Sequence, residues 1–284
     1  MNKLLIITGP TATGKTSLGS EIAGKFNGEI ISADSRQVYK YMDIGTGKAT
    51  DNFEWGKDLV EPDQQYSVSE WVTYATATIQ DIWRRGKLPI VIGGTGQYIK
   101  ELVRPSETLH IPPNTKLRAK LLNCSIVELQ QELKLVSVQK WEGMNDSDKN
   151  NPRRLIRAIE VATQNQKSKV KNQKYDLKLN TPNILVIGLT APLEYLYTNI
   201  DKRVEQRLVA GMEKEREALK KYHLPRTLGY NGESAYEWKL AEHQYAKRQL
   251  DYMKKFLPET IWFDISVDNW KDRLWPTIKN TLNI

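Results

Sequence analysis

The stretch that decides the fold runs Leu4-Leu5-Ile6-Ile7-Thr8-Gly9-Pro10-Thr11-Ala12-Thr13-Gly14-Lys15-Thr16. Its apolar, β-branched first part predicts a buried strand, and the eight residues that follow Thr8 fit the phosphate-binding pattern G-x-x-x-x-G-K-[ST], the P-loop. Apolar residues at Leu18, Ile22 and Phe26 then predict a helix. A chance glycine turn is the alternative, but strand, glycine loop and helix in this order are the context that the motif requires.

The P-loop residues have a common chemistry. The glycines let backbone N–H groups converge, and the helix N-terminus adds a partial positive charge. Lys15 supplies a mobile cation for the outer phosphate, and the Thr16 hydroxyl is placed to ligate Mg²⁺. We therefore expect a di- or triphosphate to bind to Gly9, Pro10, Thr11, Ala12, Thr13, Gly14, Lys15 and Thr16.

The composition is that of an ordinary globular protein. The chain has 284 residues, of which 39% are hydrophobic and 27% charged, enough for one large or two modest domains. Its apolar start is too short for a signal peptide, and no apolar run has transmembrane length. Cys124 is the only cysteine, so an intramolecular disulfide and a cysteine zinc site are excluded, and a core thiol is expected. We expect a cytosolic protein without a membrane partner.

The net charge of +8 is unevenly distributed. Residues 1–100 hold 11 Lys/Arg and 11 Asp/Glu, residues 101–180 hold 15 against 9, and residues 181–284 hold 16 against 14. The basic excess therefore lies mostly in the middle of the chain. It is either a solvated helical surface or a footprint for nucleic acid, in which phosphate contacts dominate the affinity.

Two further strands each end in polar residues. Glu29–Ser32 precedes Asp34, and Leu88–Ile92 precedes a glycine-rich stretch that contains Thr95. In open α/β sheets, functional groups gather at the carboxyl ends of the strands, so Asp34 and Thr95 are expected near the P-loop. A turn or N-cap aspartate is the alternative for Asp34.

The pattern changes in the middle of the chain. After Ile111-Pro112-Pro113 the sequence predicts helices over residues 115–122, 125–133 and 152–163, followed by a lysine-rich stretch, 167–178. Strand character returns at Ile184–Leu189, one long helix is predicted over residues 192–222, and a last strand at Ile261–Asp264. We predict an α/β fold: a P-loop NTPase-like parallel sheet flanked by helices, formed by residues 1–104 and 184–284, with a helical, basic insertion domain at 105–183.

Motifs along nearly the whole chain resemble the bacterial tRNA dimethylallyltransferases, also called tRNA isopentenyltransferases. Besides the P-loop these are Asp34-Ser35-Arg36-Gln37-Val38-Tyr39, Met42-Asp43-Ile44-Gly45-Thr46, Gly93-Gly94-Thr95-Gly96-Gln97-Tyr98, Arg154-Leu155-Ile156-Arg157-Ala158-Ile159-Glu160, Leu228-Gly229-Tyr230 and Ala246-Lys247-Arg248-Gln249. The family usually has Ala-Lys-Pro after its Ile-Gly-Thr, where this chain has Gly47-Lys48-Ala49. The P-loop alone is generic, but the combination is specific.

The resemblance implies the transfer of a dimethylallyl group from dimethylallyl diphosphate to N6 of the adenosine 3′-adjacent to the anticodon of tRNA, position 37, with release of diphosphate. The resemblance also implies catalytic roles for four residues. Asp34 would be the general base, Thr95 would assist it, and Lys15 and Arg203 would act at the diphosphate. Mg²⁺ would bind to Thr16. From the residues alone, we expect Arg203 to be an ordinary solvent-exposed arginine on a helix. The expected tRNA contacts are Asp34, Ser35, Arg36, Gln37, Thr95, Arg118, Arg153, Arg154, Leu155, Ile156, Arg157 and Arg248.

Three other functions stay open from the sequence. A P-loop nucleoside or nucleotide kinase would transfer a phosphoryl group, and an adenylate isopentenyltransferase would act on free adenine nucleotides. An RNA-binding module with a vestigial P-loop would catalyse nothing. The partners expected on the main interpretation are the tRNA anticodon stem-loop and dimethylallyl diphosphate, and a monomer is expected.

Overall fold

The chain divides into two compact units. The computed structural model describes residues 2–48, 54–167, 179 and 183–283. The first unit comprises Met1–Pro105 and Leu177–Ile284, and the second comprises Ser106–Asp176. Most of the lysine-rich stretch 167–178 lies outside the described residues.

The first unit is built on a parallel sheet of five strands. In chain order these are β1 (Lys3–Thr8), β2 (Gly28–Ser32), β3 (Leu88–Gly93), β4 (Asn183–Thr190) and β5 (Ile261–Asp264). They lie side by side in the order β2-β3-β1-β4-β5, and every neighbouring pair is parallel. The predicted strands and the predicted fold class are confirmed, and β1 with its P-loop occupies the centre.

In the first unit each strand is followed by one or more helices, and in the second unit helices follow one another directly. Those of the first unit are α1 (Lys15–Lys25), α2 (Val68–Arg84), α3 (Gly96–Val103), α9 (Leu193–Val209), α10 (Met212–Leu219), α11 (Ala235–Phe256) and α12 (Trp270–Leu282). Those of the second unit are α4 (Thr115–Leu121), α5 (Ile126–Val136), α6 (Val138–Glu142), α7 (Asp146–Lys149) and α8 (Pro152–Lys167). No helix of the described residues is long and apolar enough to cross a membrane.

The strands read as continuous apolar runs because the sheet is covered on both faces. Leu5 and Ile7 of β1 belong to one core cluster together with Leu18 of α1 and Leu274 of α12. Leu4 and Ile6 point the other way, since side chains alternate along a strand, and both are fully buried. Burial on both faces fixes the central strand, and with it the start of the P-loop.

One predicted helix is wrong in its extent. The pattern over residues 192–222 predicts a single helix, but the structure has α9 and α10, separated at Ala210 and Gly211. Gly211 has φ +106°, a left-handed backbone that ends α9 at little steric cost. The apolar spacing continues across the break, because Met212 is buried beside Ile200 and Val204 of the same core cluster.

The second unit has its own small core. Its buried residues are Leu121, Leu129, Leu133, Leu155, Ile156, Ala158 and Ile159. Cys124 is only partly buried and packs against this cluster. Leu155 and Ile156 were expected to contact tRNA, but they are 0% and 7% exposed, so their side chains pack in this core instead.

Candidate active site

The P-loop connects β1 to α1 and forms one wall of a cavity of about 840 Å³ at the carboxyl edge of the sheet. Gly9 has φ +143°, and an added Cβ would lie 2.4 Å from the carbonyl oxygen of Leu189, so only glycine fits there. Thr11, Ala12, Gly14, Lys15 and Thr16 line the cavity. Gly14, which caps α1, leaves the helix N-terminus without a side-chain cap, so its N–H groups face an anion site.

Lys15 folds back over its own loop. Its Nζ donates to the carbonyl oxygen of Pro10 at 2.6 Å and lies 3.4 Å from Thr13 Oγ1. Burial, together with the positive charge of Arg203, lowers the pKa of Lys15 to about 7, although the Asp34 carboxylate opposes this shift. A bound polyanion would restore the charge of Lys15, because an opposite charge nearby favours the protonated amine.

Asp34 and Thr95 stand at the ends of neighbouring strands. Asp34 lines the cavity, and its Oδ1 accepts a hydrogen bond from the backbone N–H of Arg36 at 2.8 Å. Thr95 follows β3, and its Oγ1 accepts from the backbone N–H of Ser35 at 3.0 Å. The pairing of β2 with β3 thus brings Asp34 close to Thr95, although 60 residues separate Ser35 from Thr95 in sequence.

Gln249 of α11 is a site residue that sequence reasoning did not assign. Its Oε1 accepts from the backbone N–H of Thr11 at 2.9 Å, and its Nε2 donates to the carbonyl oxygen of Gly94 at 2.9 Å. One buried amide therefore joins the P-loop to the glycine turn after β3. The only sequence signal was its place in the Ala246-Lys247-Arg248-Gln249 motif.

A second missed residue, Glu215 of α10, holds the loop that follows β2. Its carboxylate accepts hydrogen bonds from the backbone N–H groups of Asp43, Ile44 and Gly45 at 3.1, 2.7 and 3.1 Å. The hydroxyl of Tyr230 also donates to it. This fixes the loop whose Gly45, Thr46 and Gly47 line the cavity.

Gln37 and Arg36 complete this side of the cavity. Gln37 Nε2 donates to the carbonyl oxygens of Thr46 and Gly47, both at 3.3 Å, and its Oε1 accepts from Ser32 Oγ at 2.8 Å. Gln37 therefore ties the β2 end to the loop as well as facing the cavity. Ser35, Arg36 and Arg248 also line the cavity.

Arg203 reaches the P-loop from α9. Its Nη1 donates to Thr11 Oγ1 at 2.8 Å, so it is not a solvated helix arginine. Burial and the neighbouring Arg207 lower the pKa of Arg203 to about 10. Gly47, where the chain departs from the family's Ala-Lys-Pro, faces this group, because an added Cβ would lie 2.3 Å from Arg203 Nη2.

Three of the expected tRNA contacts of the second unit, Arg118, Arg154 and Arg157, form ion pairs within that unit. Arg118 contacts the buried Glu160 with Nε at 2.7 Å and with Nη2 at 2.9 Å, and Arg157 Nη1 lies 3.4 Å from the same carboxylate. Arg154 pairs with Asp148 at the surface, and Arg153 is exposed. Arg118 and Arg157 therefore hold the unit together, whereas Arg153 and Arg154 face solvent.

Comparison with known proteins places this site in a family. The sequence model of the IPP transferase family matches residues 37–256, and that of the isopentenyl transferases matches residues 2–56. The tRNA dimethylallyltransferase of Anoxybacillus flavithermus is 34% identical over 95% of this chain and 93% of its own length. The enzyme of the same name from Acetivibrio thermocellus is 39% identical over 90% of both chains.

Comparison with solved structures agrees with these sequence matches. The tRNA isopentenylpyrophosphate transferase of Bacillus halodurans is 29% identical and has a TM-score of 0.69, with 100% of this chain and 97% of that one covered. A eukaryotic dimethylallyltransferase acting on tRNA is 24% identical and shares the fold, with a TM-score of 0.79 over 99% of this chain and 79% of that one. With a matching family model over most of its length and relatives above 30% identity, the chain belongs to the IPP transferase family, among the tRNA dimethylallyltransferases.

Proposed function

We propose that this enzyme transfers a dimethylallyl group from dimethylallyl diphosphate to N6 of the adenosine at position 37 of tRNA, in the cytoplasm. Family membership gives the reaction class. The observation that supports the site is a single cavity that joins a P-loop, a buried cation cluster and the carboxylate of Asp34. Phosphate-binding groups and a proton acceptor are the two requirements of this transfer.

The P-loop side of the cavity is the donor's diphosphate site. Breaking the allylic C–O bond places negative charge on the departing diphosphate, and preorganised donors that stabilise this charge lower the barrier. Lys15, Arg203 and the N–H groups at the start of α1 are such donors. Two hydrogen bonds to Thr11 keep this wall in place: its backbone N–H donates to Gln249, and its hydroxyl accepts from Arg203.

The residues present also fit Mg²⁺. Thr16 exposes its hydroxyl on the cavity wall in the first turn of α1, and Mg²⁺ binds oxygen ligands that include substrate phosphates and water. No cluster of three acidic, histidine or cysteine side chains occurs in the described parts of the chain, so Thr16 and the diphosphate are the expected ligands. Bound there, the ion would neutralise charge on the leaving group.

Asp34 is the proposed general base. The exocyclic amine of adenine is a weak nucleophile because its lone pair is delocalised into the ring, so it needs a positioned proton acceptor. Asp34 uses Oδ1 in its turn with Arg36, and its side chain belongs to a residue that lines the cavity. Thr95 fixes the backbone beside it through Ser35.

The acceptor adenosine has to leave its stack to enter the cavity. Ser35, Arg36, Gln37 and Arg248 line the wall and can bind a flipped base or its neighbours. Arg153 and Arg154 of the helical unit are the proposed phosphate contacts, whereas Leu155 and Ile156 are withdrawn as contacts because they are buried.

The test is a transfer assay with labelled dimethylallyl diphosphate and tRNA, ATP or AMP as acceptor, for wild type and Lys15→Ala. We expect label in tRNA only, and a loss of turnover in the variant with tRNA affinity largely kept, because Lys15 serves the diphosphate. Arg273→Ala, an exposed cation on α12, is the control. Label in AMP or ATP, or phosphoryl transfer from ATP, would refute the proposal in favour of the alternative enzymes.

A further inference from the structure

Arg207 is a buried cation to which the proposed function gives no task. It lies on α9 one turn after Arg203 and is, at 7% exposure, the least exposed cation of the described cavity wall. Its Nη1 lies 3.2 Å from Glu242 Oε1, and its Nε has no hydrogen-bond partner among the described residues. A buried donor without a partner costs free energy, and the side chain that carries this donor lies on the cavity wall.

We propose that Arg207 is a second diphosphate-binding arginine, which contacts the donor's diphosphate next to Arg203. This inference rests on the proposed function and assigns a further residue to the same site. The ligand chemistry is that of an inorganic or organic diphosphate, whose oxygens accept hydrogen bonds from several guanidinium groups at once.

The position of Gly47 shows how close the two arginines are. An added Cβ at Gly47 would lie 2.3 Å from Arg203 Nη2 and 2.7 Å from Arg207 Nη2, so these two atoms are at most about 5 Å apart. Arg203 in turn donates to the P-loop residue Thr11. Both guanidinium groups therefore reach the cavity wall within the span of a single diphosphate.

The charges favour a polyanion between these groups. Arg203 repels Lys15 on one side and Arg207 on the other; burial is the larger cause, and the charge of Arg207 the smaller one, that lowers the pKa of Arg203. Glu242 and Asp34 offset part of this positive charge. A diphosphate would turn the mutual repulsion into attraction to the ligand, which is how cation clusters bind phosphates.

The competing explanation is that the Arg207–Glu242 pair only joins α9 to α11. Two other contacts already join these helices outside the cavity wall: a hydrogen bond of 2.7 Å between Asp201 and His243, and an ion pair of 2.6 Å between Glu205 and Lys239. They provide a matched control, because Lys239→Gln removes a helix-joining cation without touching the cavity.

The experiment measures the affinity for inorganic pyrophosphate by calorimetry for wild type, Arg207→Gln, Lys239→Gln and Glu242→Gln, after thermal unfolding has shown that each variant folds. We expect Arg207→Gln to weaken binding about ten- to hundredfold, as for the loss of charge-assisted hydrogen bonds. We expect Lys239→Gln to stay within about twofold of wild type. Glu242→Gln removes a competing carboxylate and keeps Arg207, so its affinity should be equal to or higher than that of wild type.

Equal affinities of Arg207→Gln and wild type would overturn the inference. A loss of pyrophosphate affinity of more than about threefold in Glu242→Gln, alongside the loss in Arg207→Gln, would also overturn it. That result would mean that the Arg207–Glu242 pair acts only by packing α9 against α11. If Arg207→Gln does not fold, Arg207→Lys replaces it, because lysine keeps the charge but cannot make the forked contact of a guanidinium: a loss of pyrophosphate affinity would support the inference, and an affinity equal to that of wild type would overturn it. A wild type that binds no pyrophosphate and transfers no dimethylallyl group would refute the proposed function itself, and this outcome is distinct from the other two.

Discussion

At the scale of single residues, one substitution can separate the structural task of Asp34 from the chemical task that we propose for it. Its Oδ1 accepts the N–H of Arg36 two residues later, which stabilises the turn after β2. The turn aspartate and the general base, alternatives from the sequence, are therefore compatible in the structure. An asparagine keeps the Oδ1 acceptor for the turn but cannot take a proton.

We predict that Asp34→Asn keeps its fold and binds both substrates, but transfers the group about 10²–10⁴-fold more slowly, the usual contribution of a general base. Single-turnover transfer to saturating tRNA measures this rate. Asp63→Asn, the same change at an exposed aspartate away from the cavity wall, is the control. A loss of less than about threefold in Asp34→Asn would show that the amine loses its proton to another group.

At the scale of elements, α8 is anchored through one buried carboxylate. Glu160 is 2% exposed and accepts hydrogen bonds from the backbone N–H of Asn114, from Arg118 twice and from Arg157. Burial alone would raise the pKa of Glu160, but the hydrogen bonds from Arg118 and Asn114 lower it below its ordinary value of 4.5. The charged form is thus the one that the fold uses.

We predict that Glu160→Gln destabilises the protein by about 1–3 kcal/mol at pH 7, because buried hydrogen bonds to charged partners are lost. The lowered pKa means that this difference is complete above pH 4.5 and shrinks as the pH falls through the folded pKa. Urea unfolding of both proteins at pH 7 and pH 4 measures it, with the exposed Glu142→Gln as control. A pH-independent difference would contradict the role of the carboxylate charge.

At the scale of the whole molecule, the two units have different charge characters. The catalytic cavity and its cations belong to the sheet-containing unit, whereas the six-residue surplus of Lys/Arg in residues 101–180 belongs largely to the helical one. Ion pairs neutralise part of this surplus, since Arg118 and Arg157 are bound to Glu160. The exposed Arg153 and Arg154 are the better candidates for phosphate contacts.

We predict that Arg153 and Arg154 changed together to Ala weaken tRNA binding and flatten its dependence on salt, by roughly one unit or less of log–log slope for each lost contact. Filter binding between low and moderate salt measures the slope. Arg84 and Arg273, exposed on the other unit, form the charge-matched double control. An unchanged slope would assign Arg153 and Arg154 to ordinary solvated surface.

The sequence by itself determined the five strands, the P-loop and the position of Asp34 behind a strand, because each is a local pattern of apolar runs or glycine spacing. It could not determine where α9 ends, since Gly211 interrupts the helix without interrupting the apolar spacing.

Only the tertiary structure decided the strand order and the groups that complete the site. Gln249 reaches Thr11 across 238 residues, and Glu215 holds Ile44 across 171. Arg207 and Gly47 are neighbours for the same reason. Such contacts arise when packed elements bring distant residues together, and no local period or motif in the sequence specifies which distant side chain will meet which backbone group.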